Sequence, residues 1–450
     1  MAPLSPLSLR LLLLFIFSFI NFCHSKNTTA AEYLKLPLLR KNPLASPTEL
    51  LSSDAHRLSL LHHRRTLKSP VVSGAPSGSG QYFVSLRLGT PPQTILLVAD
   101  TGSDLIWVKC SACSTNCSSA ATTSAFIPRH SSTFSPHHCF DSHCRLLPHP
   151  SHSHCKKRPL HTPCRYEYTY SDGSVTNGFF SKETATLRTS FGGEARLNNL
   201  AFGCGFRISG PSVTGASFNG AQGVMGLGKG PISFSSQLGH RFGNKFSYCL
   251  LDYTISPPPT SFLTIGNIVP RTSKMSFTPL LANPLSPSFY YIAVQSVSVN
   301  GAKLNINPSV WSIDELGNGG TIIDSGTTLT FLVEPAYRQV LASVKRRVRR
   351  LPSPAIMPTL GFDLCVNVSG VPRPSLPKMS FKLLGNSVLS PPPTNYFIEA
   401  ADRVMCLAIQ PVSSETGFSV IGNLMQQGFL FEFDRDRSRL GFSRHGCALR

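Results

Sequence analysis

The segment LLVADTGSDLIWVKC, residues 96–110, places Asp100 inside an otherwise apolar, strand-like run. An ionised carboxylate is among the costliest groups to take out of water. A chain that buries one therefore pairs the charge, neutralises it or uses it. Hydroxyl side chains follow the aspartate, and Gly102 permits a tight turn with close approach of the backbone.

A second segment, GGTIIDSGTTLTF at residues 319–331, repeats this pattern around Asp324. Each copy has an apolar pair, an aspartate, a hydroxyl residue, a glycine and a second hydroxyl residue. Each is followed later in the chain by an apolar pair and a glycine, in GVMGLG at 223–228 and in SVIGNL at 419–424. The repeat predicts two related lobes that each contribute one aspartate loop.

Two lobes related by an approximate two-fold axis would bring Asp100 and Asp324 face to face. Two carboxylates that close together cannot both ionise, so they would share a proton and act as an acid and a base. Such a pair can activate a water molecule and protonate the departing nitrogen of an amide, and this chemistry needs neither a metal nor another cofactor. Ser103 and Thr327 are expected to donate to the carboxylates and orient them, while Gly102 and Gly326 permit the tight turn of each loop.

The composition favours a folded, mostly β protein. The chain has 450 residues, of which 41% are hydrophobic and 14% charged, and this supports a sizeable core and argues against disorder. Strand-like runs are many and helical runs few. One helix is predicted over residues 334–350, because apolar residues recur there at helical spacing: Tyr337, Val340, Leu341, Val344 and Val348.

The N-terminal 80 residues are predicted to be removed from the working protein. Residues 1–25 are typical of a signal peptide, since Arg10 precedes an apolar run too short to span a bilayer. Residues 26–80 are predicted to be a basic pro-segment that ends in a Gly/Ser-rich linker, with an ordinary flexible extension as the alternative. A basic segment would lie against an ionised dyad at neutral pH and be released by acid. Ordered strands are expected only from Gln81 onwards.

The chain has 13 cysteines, and Cys23 falls in or beside the signal peptide. The even number that remains in an exported chain predicts six disulfide bonds, whose pairing the spacing does not reveal. Seven cysteines crowd into residues 110–164, which indicates a disulfide-rich insert. N-glycosylation sequons begin at Asn27, Asn116 and Asn367. The candidate disulfide cysteines are Cys110, Cys113, Cys117, Cys139, Cys144, Cys155, Cys164, Cys204, Cys249, Cys365, Cys406 and Cys447.

Two motifs suggest other kinds of site. HHCFDSHC at residues 137–144 invites a zinc interpretation, but its spacing fits no standard ligand pattern, and disulfides with histidines on a solvated loop are favoured. Those histidines are expected to gain charge as the pH falls through about 6.5. GVMGLGKG at residues 223–230 imitates part of a phosphate loop, but Gly230 and Pro231 replace the hydroxyl residue and helix that should follow.

Together these motifs resemble a pepsin-type aspartic protease, and more narrowly the nepenthesin-like group of plants. The resemblance covers nearly all of residues 81–450 and implies a bilobal β fold with the active-site cleft between two related lobes. The N-terminal lobe would span 81–253 with the insert, and the C-terminal lobe 254–450. The segments that carry the resemblance are DTGSDLIWVKC, YSDGSVTNG, FGCG, GVMGLGKGPISFSSQL, KFSYCL, DSGTT, FDLCV and VIGNLMQQ.

The resemblance also implies a hairpin flap over the cleft. Tyr170 matches the flap tyrosine and Trp107 its usual partner, while Thr101 and Ser325 match residues whose crossed hydrogen bonds tie the two loops together. Ser171 departs from the pattern, because many relatives carry glycine there. Without the resemblance, YTYSDGSVTNG predicts only a hairpin with Asp-Gly at its tip, and the tryptophan reads as core.

The predicted function is that of an acid-active aspartic endopeptidase, a monomeric hydrolase made as a zymogen and acting on polypeptides. The competing prediction is a non-catalytic secreted binding or inhibitor protein on the same scaffold, like the xylanase-inhibitor-like relatives. The intact pair of aspartate loops favours the enzyme.

The predicted location is extracellular or in the cell wall, with the vacuole as the alternative, and no membrane anchor is expected because the C-terminal HGCALR has no hydrophobic tail. Residues 1–80 hold 9 Lys and Arg and 3 acidic residues, so they contribute +6 of the net charge of +20. The remaining +14 predicts adhesion to acidic polymers, which in a plant means acidic cell-wall polysaccharide. Nucleic acid is a poorer fit, given secretion and the lack of a recognisable module.

Overall fold

A computed structural model describes residues 34–39, 80–111, 125–147, 155, 159–169, 174–189, 193–214, 218, 220–252, 261–266, 275–349, 356–359, 361–371, 374–412, 417–444 and 446–447. The predicted signal peptide and most of the predicted pro-segment lie outside these residues. So do several candidate residues: Asn27, Cys113, Asn116, Cys117, Tyr170 and Ser171.

The fold is mostly β, as predicted. The strands of the first part of the chain are β1 Leu34–Leu39, β2 Phe83–Leu88, β3 Gln93–Asp100, β4 Trp107–Lys109, β5 Ser135–Pro136, β6 Arg165–Thr169, β7 Val175–Arg188, β8 Glu194–Ser209, β9 Gly223–Gly226, β10 Lys245–Cys249 and β11 Ser261–Ile265. Those of the second part are β12 Ser276–Leu281, β13 Tyr291–Ile292, β14 Val294–Val299, β15 Ala302–Lys303, β16 Thr321–Ile323, β17 Thr330–Val333, β18 Ile356–Thr359, β19 Phe362–Asn367, β20 Met379–Leu383, β21 Val388–Leu389, β22 Phe397–Ala401, β23 Val404–Leu407, β24 Ile409–Val412, β25 Ser419–Ile421, β26 Leu430–Asp434 and β27 Arg439–Ser443. The described α-helices are α1 Pro211–Thr214, α2 Phe234–Phe242, α3 Glu334–Val348 and α4 Asn423–Gln426, with short 3₁₀ turns at Pro128–His130, His143–Leu146, Pro308–Trp311 and Pro393–Asn395.

The two aspartate strands have the same topology. Strand β3 runs parallel to β9, so that Asp100 lies opposite Gly226. Strand β16 runs parallel to β25, with Ile323 opposite Ile421. The apolar-apolar-glycine segments therefore form the neighbours of the aspartate strands, and the predicted bilobal architecture is confirmed. The boundary at residue 253 stays a prediction, because residues 253–260 lie outside the described chain.

The glycines of these segments are required by close chain crossings. A Cβ atom on Gly226 would lie 2.4 Å from the backbone of Asp104, and one on Gly422 would lie 1.9 Å from the carbonyl oxygen of Leu329. Any side chain at either position would push the two chains apart. This explains why both copies of the repeat end in glycine.

The two lobes share a set of neighbouring strands. Strand β10 pairs antiparallel with β11 on one side and with β26 on the other. Strand β26 continues to β27, and β27 to β12. Because β10 comes from the first half of the chain and β26 from the second, this sheet joins the halves behind the aspartate loops.

Strand β1 was not expected, and the prediction that ordered strands begin only at Gln81 is wrong. Strand β1 pairs antiparallel with β11 and with the start of β2. Its sequence, LKLPLL, alternates, and Leu34, Leu36 and Leu38 are buried while Lys35 and Pro37 are exposed. This period of two suits a strand with one face on the core. Because the run is short and lies in a basic segment, its strand pattern was missed in the sequence.

Helix α3 confirms the predicted helix to within two residues at its C-terminal end. The second helical residue is Pro335. Proline loses no helical hydrogen bond there, because the N–H groups of the first turn have no acceptor within the helix. The predicted face is buried except for Leu341, which is half-buried. Ala336 and Ser343 lie on the same face.

Five disulfides are formed among the described residues: Cys110–Cys204, Cys139–Cys155, Cys144–Cys164, Cys249–Cys447 and Cys365–Cys406. Every one joins predicted cysteines. The described residues contain no group of three or more His, Cys, Asp or Glu arranged to hold a metal ion. Over the same residues, no helix is both long and apolar enough to cross a bilayer.

One histidine of the insert departs from the expected solvated loop. His137 is buried, and its ring stacks on Phe180 with centroids 5.2 Å apart and on His143 at 5.0 Å. Burial lowers the pKa of His137, although a hydrogen bond with Asp141 opposes this effect. This residue therefore remains neutral to a lower pH than an exposed histidine, contrary to the general expectation for the insert.

Candidate active site

Asp100 is the last residue of β3 and is 2% exposed. Its Oδ1 accepts a hydrogen bond from the backbone N–H of Gly102 at 2.9 Å, and its Oδ2 accepts one from the Ser103 hydroxyl at 2.6 Å. The tight Asp-Thr-Gly-Ser turn thus folds its own donors back onto the carboxylate. These two bonds hold the orientation of the carboxylate plane.

Asp324 follows β16 and is fully buried. Its Oδ1 accepts from the N–H of Gly326 at 3.1 Å, and its Oδ2 accepts from the Thr327 hydroxyl at 2.6 Å. Each donor has the same sequence offset as in the first loop. Two segments far apart in the chain therefore build the same carboxylate environment.

Crossed hydrogen bonds join the two loops. The N–H of Ser325 donates to Thr101 Oγ1 at 2.8 Å, and the N–H of Thr101 donates to Ser325 Oγ at 3.2 Å. The Thr101 hydroxyl then donates to Asp324 Oδ1 at 3.2 Å, and the Ser325 hydroxyl donates to the carbonyl of Ala99 at 2.9 Å. The structure thus brings together both aspartates and all six predicted neighbours.

Comparisons with known proteins agree with this geometry. A family described as "Xylanase inhibitor N-terminal" matches residues 82–267, and one described as "Xylanase inhibitor C-terminal" matches residues 289–444. The chain is 37% identical to "Aspartyl protease family protein 2" of Arabidopsis thaliana over 431 residues, which cover 94% of this chain and 83% of that protein. It is 35% identical to "Aspartic proteinase nepenthesin-1" of Nepenthes gracilis over 401 residues, 88% of this chain and 85% of that one.

The chain belongs to the pepsin-like aspartic protease family. Within it, the chain is of the plant type that includes the nepenthesins, as the resemblance of the motifs had indicated. Solved structures show the same fold at lower identity. The structure titled "edgp" has a TM-score of 0.68 at 22% identity and covers 92% of this chain and 94% of its own. Basic 7S globulin from soybean has a TM-score of 0.66 at 19% identity, with 92% and 97% covered.

In this family member the second aspartate loop is held from behind by two amides that sequence reasoning missed. Asn423 Nδ2 donates to the carbonyl of Ser325 at 3.0 Å and to that of Gly80 at 3.0 Å. Gln426 Nε2 donates to the carbonyl of Asp324 at 3.1 Å. Both amides belong to the VIGNLMQQ segment. The sequence signal that could have pointed to them is that polar residues interrupt an otherwise apolar run there.

Tyr248 of β10 supports the same arrangement from the sheet between the lobes. Its hydroxyl hydrogen-bonds Gln426 Oε1, and the side chain is buried. Burial first, and the charge of Asp324 second, raise the pKa of Tyr248 well above its usual range. The hydroxyl therefore keeps its proton and acts as the donor, which fixes the amide of Gln426 against the aspartate loop.

A third carboxyl group, Asp104, directly follows the Asp-Thr-Gly-Ser loop. Its Oδ1 accepts from the N–H of Gly230 at 2.8 Å, and its Oδ2 accepts from the hydroxyl of Ser288. Burial raises the pKa of Asp104, while the hydrogen bonds from Ser288 and Gly230 partly offset this effect. The residue joins the first aspartate segment to a loop before β13, and no sequence motif singled it out.

The predicted hairpin is present where the flap is expected. Strands β6 and β7 pair antiparallel from Arg165 opposite Phe179 to Thr169 opposite Val175. The tip, residues 170–173, lies outside the described chain, so the role of Tyr170 stays a prediction. Trp107 is fully buried and stacks on Phe218, with ring centroids 5.7 Å apart and planes 3° from parallel.

Proposed function

We propose that the protein is a secreted aspartic endopeptidase, made as a zymogen, that hydrolyses peptide bonds in acid. One observation carries this proposal: two buried carboxylates, Asp100 and Asp324, have matching donor sets on loops that are hydrogen-bonded to each other. These matching donor sets support a pair of carboxylates that act together as acid and base.

In the proposed mechanism the two carboxylates share one proton and hold a water molecule between them. The ionised carboxylate removes a proton from the water as it attacks the amide carbonyl carbon, and the protonated one donates to the carbonyl oxygen. The carboxyl group that took the proton from water then gives it to the nitrogen as the C–N bond breaks. The other carboxylate takes a proton back from a hydroxyl of the tetrahedral adduct as the new carboxyl group forms, which restores the shared proton. The shared proton favours acid pH, because both carboxylates would be charged in base.

The alternative is a binding or inhibitor protein on the same scaffold. It is favoured by the descriptions of the matching families, which name xylanase inhibitors, and by the titles of the two structures, neither of which names a protease. A binding protein has no need of two complete carboxylate sites, and for this reason we place the enzyme first.

The proposal also includes the processing, location, glycosylation and flap of the protein. The signal peptide, the pro-segment, an extracellular, cell-wall or vacuolar location, and glycosylation at Asn116 and Asn367 rest on sequence patterns. Asn367 ends β19 and is half-buried, and its Oδ1 accepts from the N–H of Ser369 at 2.8 Å. The assignment of Tyr170 and Trp107 to the flap rests on the resemblance.

The test is a peptidase assay at acid pH on the processed protein and on its Asp100→Asn variant. We expect pepstatin-sensitive cleavage by the wild type and a loss of at least about 1,000-fold in kcat in the variant, since the acid–base pair is lost. Asp402→Asn, at an exposed turn, is the matched control and should retain full activity. A folded, processed wild type without activity would favour the binding protein instead.

A further inference from the structure

A cavity lies at the junction of the two halves of the chain, away from the aspartate loops. Its volume is about 620 Å³, within the range of small-molecule sites. A smaller cavity of about 140 Å³ shares Lys229, Asn244 and Arg435 with it. The larger cavity is lined by α2, by the segments before and after this helix, and by the turn between β26 and β27, with Lys229, Ser236, Asn244, Arg435 and Asp436 as its polar side chains.

Two cations, Lys229 and Arg435, line this cavity. Burial raises the pKa of the Asp104 carboxyl group and the charge of Arg435 acts to lower it, but Asp104 is not among the residues that line the cavity. The guanidinium of Arg435 donates to the carbonyl of Lys229 at 2.9 Å and to the hydroxyl of Ser235 at 3.3 Å, so it is held beside the lysine. Among the described residues, no carboxylate forms a salt bridge with either cation. Burial, and then the charge of Arg435, lower the pKa of Lys229, as expected for a cation that lacks a counter-charge.

The cavity also offers partners for hydroxyl groups. Asp436 is exposed at its edge, and Asp436 Oδ1 accepts from Asn244 Nδ2 at 2.7 Å. Its second oxygen and the oxygen of the Asn244 amide are further acceptors. The Ser236 hydroxyl already donates to the carbonyl of Gly230 at 2.6 Å, so it offers the ligand no proton. The charged side chains that line the cavity, Lys229, Arg435 and Asp436, sum to +1. This balance suits a ligand with a single negative charge and several hydroxyl groups.

A phosphate group fits the loop poorly, although GVMGLGKG imitates part of a phosphate loop. Such loops hold phosphate through free backbone N–H groups. Here the N–H of Gly228 donates to the carbonyl of Ser103, that of Lys229 to the carbonyl of Ser288, and that of Gly230 to Asp104. The donors a phosphate would need are already used within the protein.

We propose that this cavity binds a carboxylate-bearing sugar, a uronic acid unit of an acidic polysaccharide, with its carboxylate on Lys229 and Arg435. The carboxylate accepts charge-assisted hydrogen bonds from the two cations. The sugar hydroxyls donate to Asp436 and Asn244. The attraction of this basic chain to acidic polymers would then have a specific binding site, and that site does not depend on peptide hydrolysis.

The test is calorimetric titration of the full chain with galacturonate, with galactose and acetate as separate probes, at one ionic strength. We expect galacturonate to bind at least about tenfold more tightly than either probe, because only it carries both chemistries. Lys229→Met should weaken galacturonate at least about tenfold, which is the loss of one charge-assisted contact. Lys303→Met, at an exposed position in β15, is the matched control and should bind like the wild type.

Asp436→Asn provides a second variant that leaves the cations in place. It removes the competing charge, so acetate should bind more tightly while the preference for galacturonate over acetate falls. Equal affinity for acetate and galacturonate in the wild type would overturn the sugar assignment. Undiminished binding by Lys229→Met, or no binding by the wild type, would overturn the site itself.

Discussion

At the scale of single residues, Asp104 is a buried acid beside the first aspartate loop that the proposed hydrolysis does not use. Both of its oxygens accept hydrogen bonds, and burial still raises its pKa. The folded protein therefore holds this proton to a higher pH than the unfolded chain does. Below the ordinary value of 3.8 both states are protonated and the group has no effect on stability; above it, the group progressively destabilises the folded state until the folded pKa is passed.

Asp104→Asn should remove this pH dependence while keeping a partner for both Gly230 and Ser288. We expect the melting temperature of the variant to exceed that of the wild type at pH 7.5 and to approach it at pH 3.5. Thermal unfolding at both pH values measures the effect, with the exposed Asp402→Asn as control. If the melting temperatures of the variant and the wild type differ by the same amount at both pH values, this carboxyl group does not titrate as described.

Residue spacing alone could predict the paired aspartates and the donors beside them, because the hydrogen bonds described within each loop come from residues two and three positions after the aspartate. The crossed bonds of Thr101 and Ser325 were expected only from the resemblance. Asp104, Asn423 and Gln426 could not be predicted from spacing. Their partners lie far away in sequence, and only the crossing of the chains brings them close.

At the scale of elements, the repeat predicted two related lobes, and Asp-Gly at the tip of YTYSDGSVTNG predicted the hairpin, whose role as a flap rests on the resemblance. The sequence pattern did not predict β1, since three inward-facing leucines in a basic segment give little signal. The pattern also gave no indication that β1 pairs with β11, more than 200 residues away. Long-range strand pairing depends on which edge is free, and a local pattern does not contain that information.

Strand β1 should contribute to stability in the full chain. Leu36 is 4% exposed and lies opposite Leu263, so Leu36→Ala should cost about 2–5 kcal/mol of unfolding free energy. Lys35→Ala is the control: its Nζ lies 4.7 Å from the Phe262 ring centroid at the surface, a contact worth about 0.5–1 kcal/mol. Denaturant unfolding of the unprocessed protein compares them. Equal small losses would show that β1 is only loosely bound to the sheet.

At the scale of the whole molecule, the described disulfides differ greatly in the length of chain that each one closes into a loop. Cys249–Cys447 spans 198 residues and ties the end of β10, in the sheet between the lobes, to the C-terminal segment. Cys144–Cys164 spans 20 residues within the insert. A longer closed loop restricts the unfolded chain more strongly, and the restriction grows with the logarithm of loop length.

Replacing both cysteines of Cys249–Cys447 with alanine should therefore destabilise the protein more than the same change at Cys144–Cys164. The entropic difference is about 2 kcal/mol for loops of these lengths. The buried contacts around the long-range bond act in the same direction, because Cys249 lies opposite Leu430 in the sheet and the two form one apolar cluster with Phe262. Unfolding free energies of the two double variants, measured in denaturant without reductant, test this order. A larger loss at Cys144–Cys164 would mean that the insert, rather than the tie across the lobes, limits the stability of the fold.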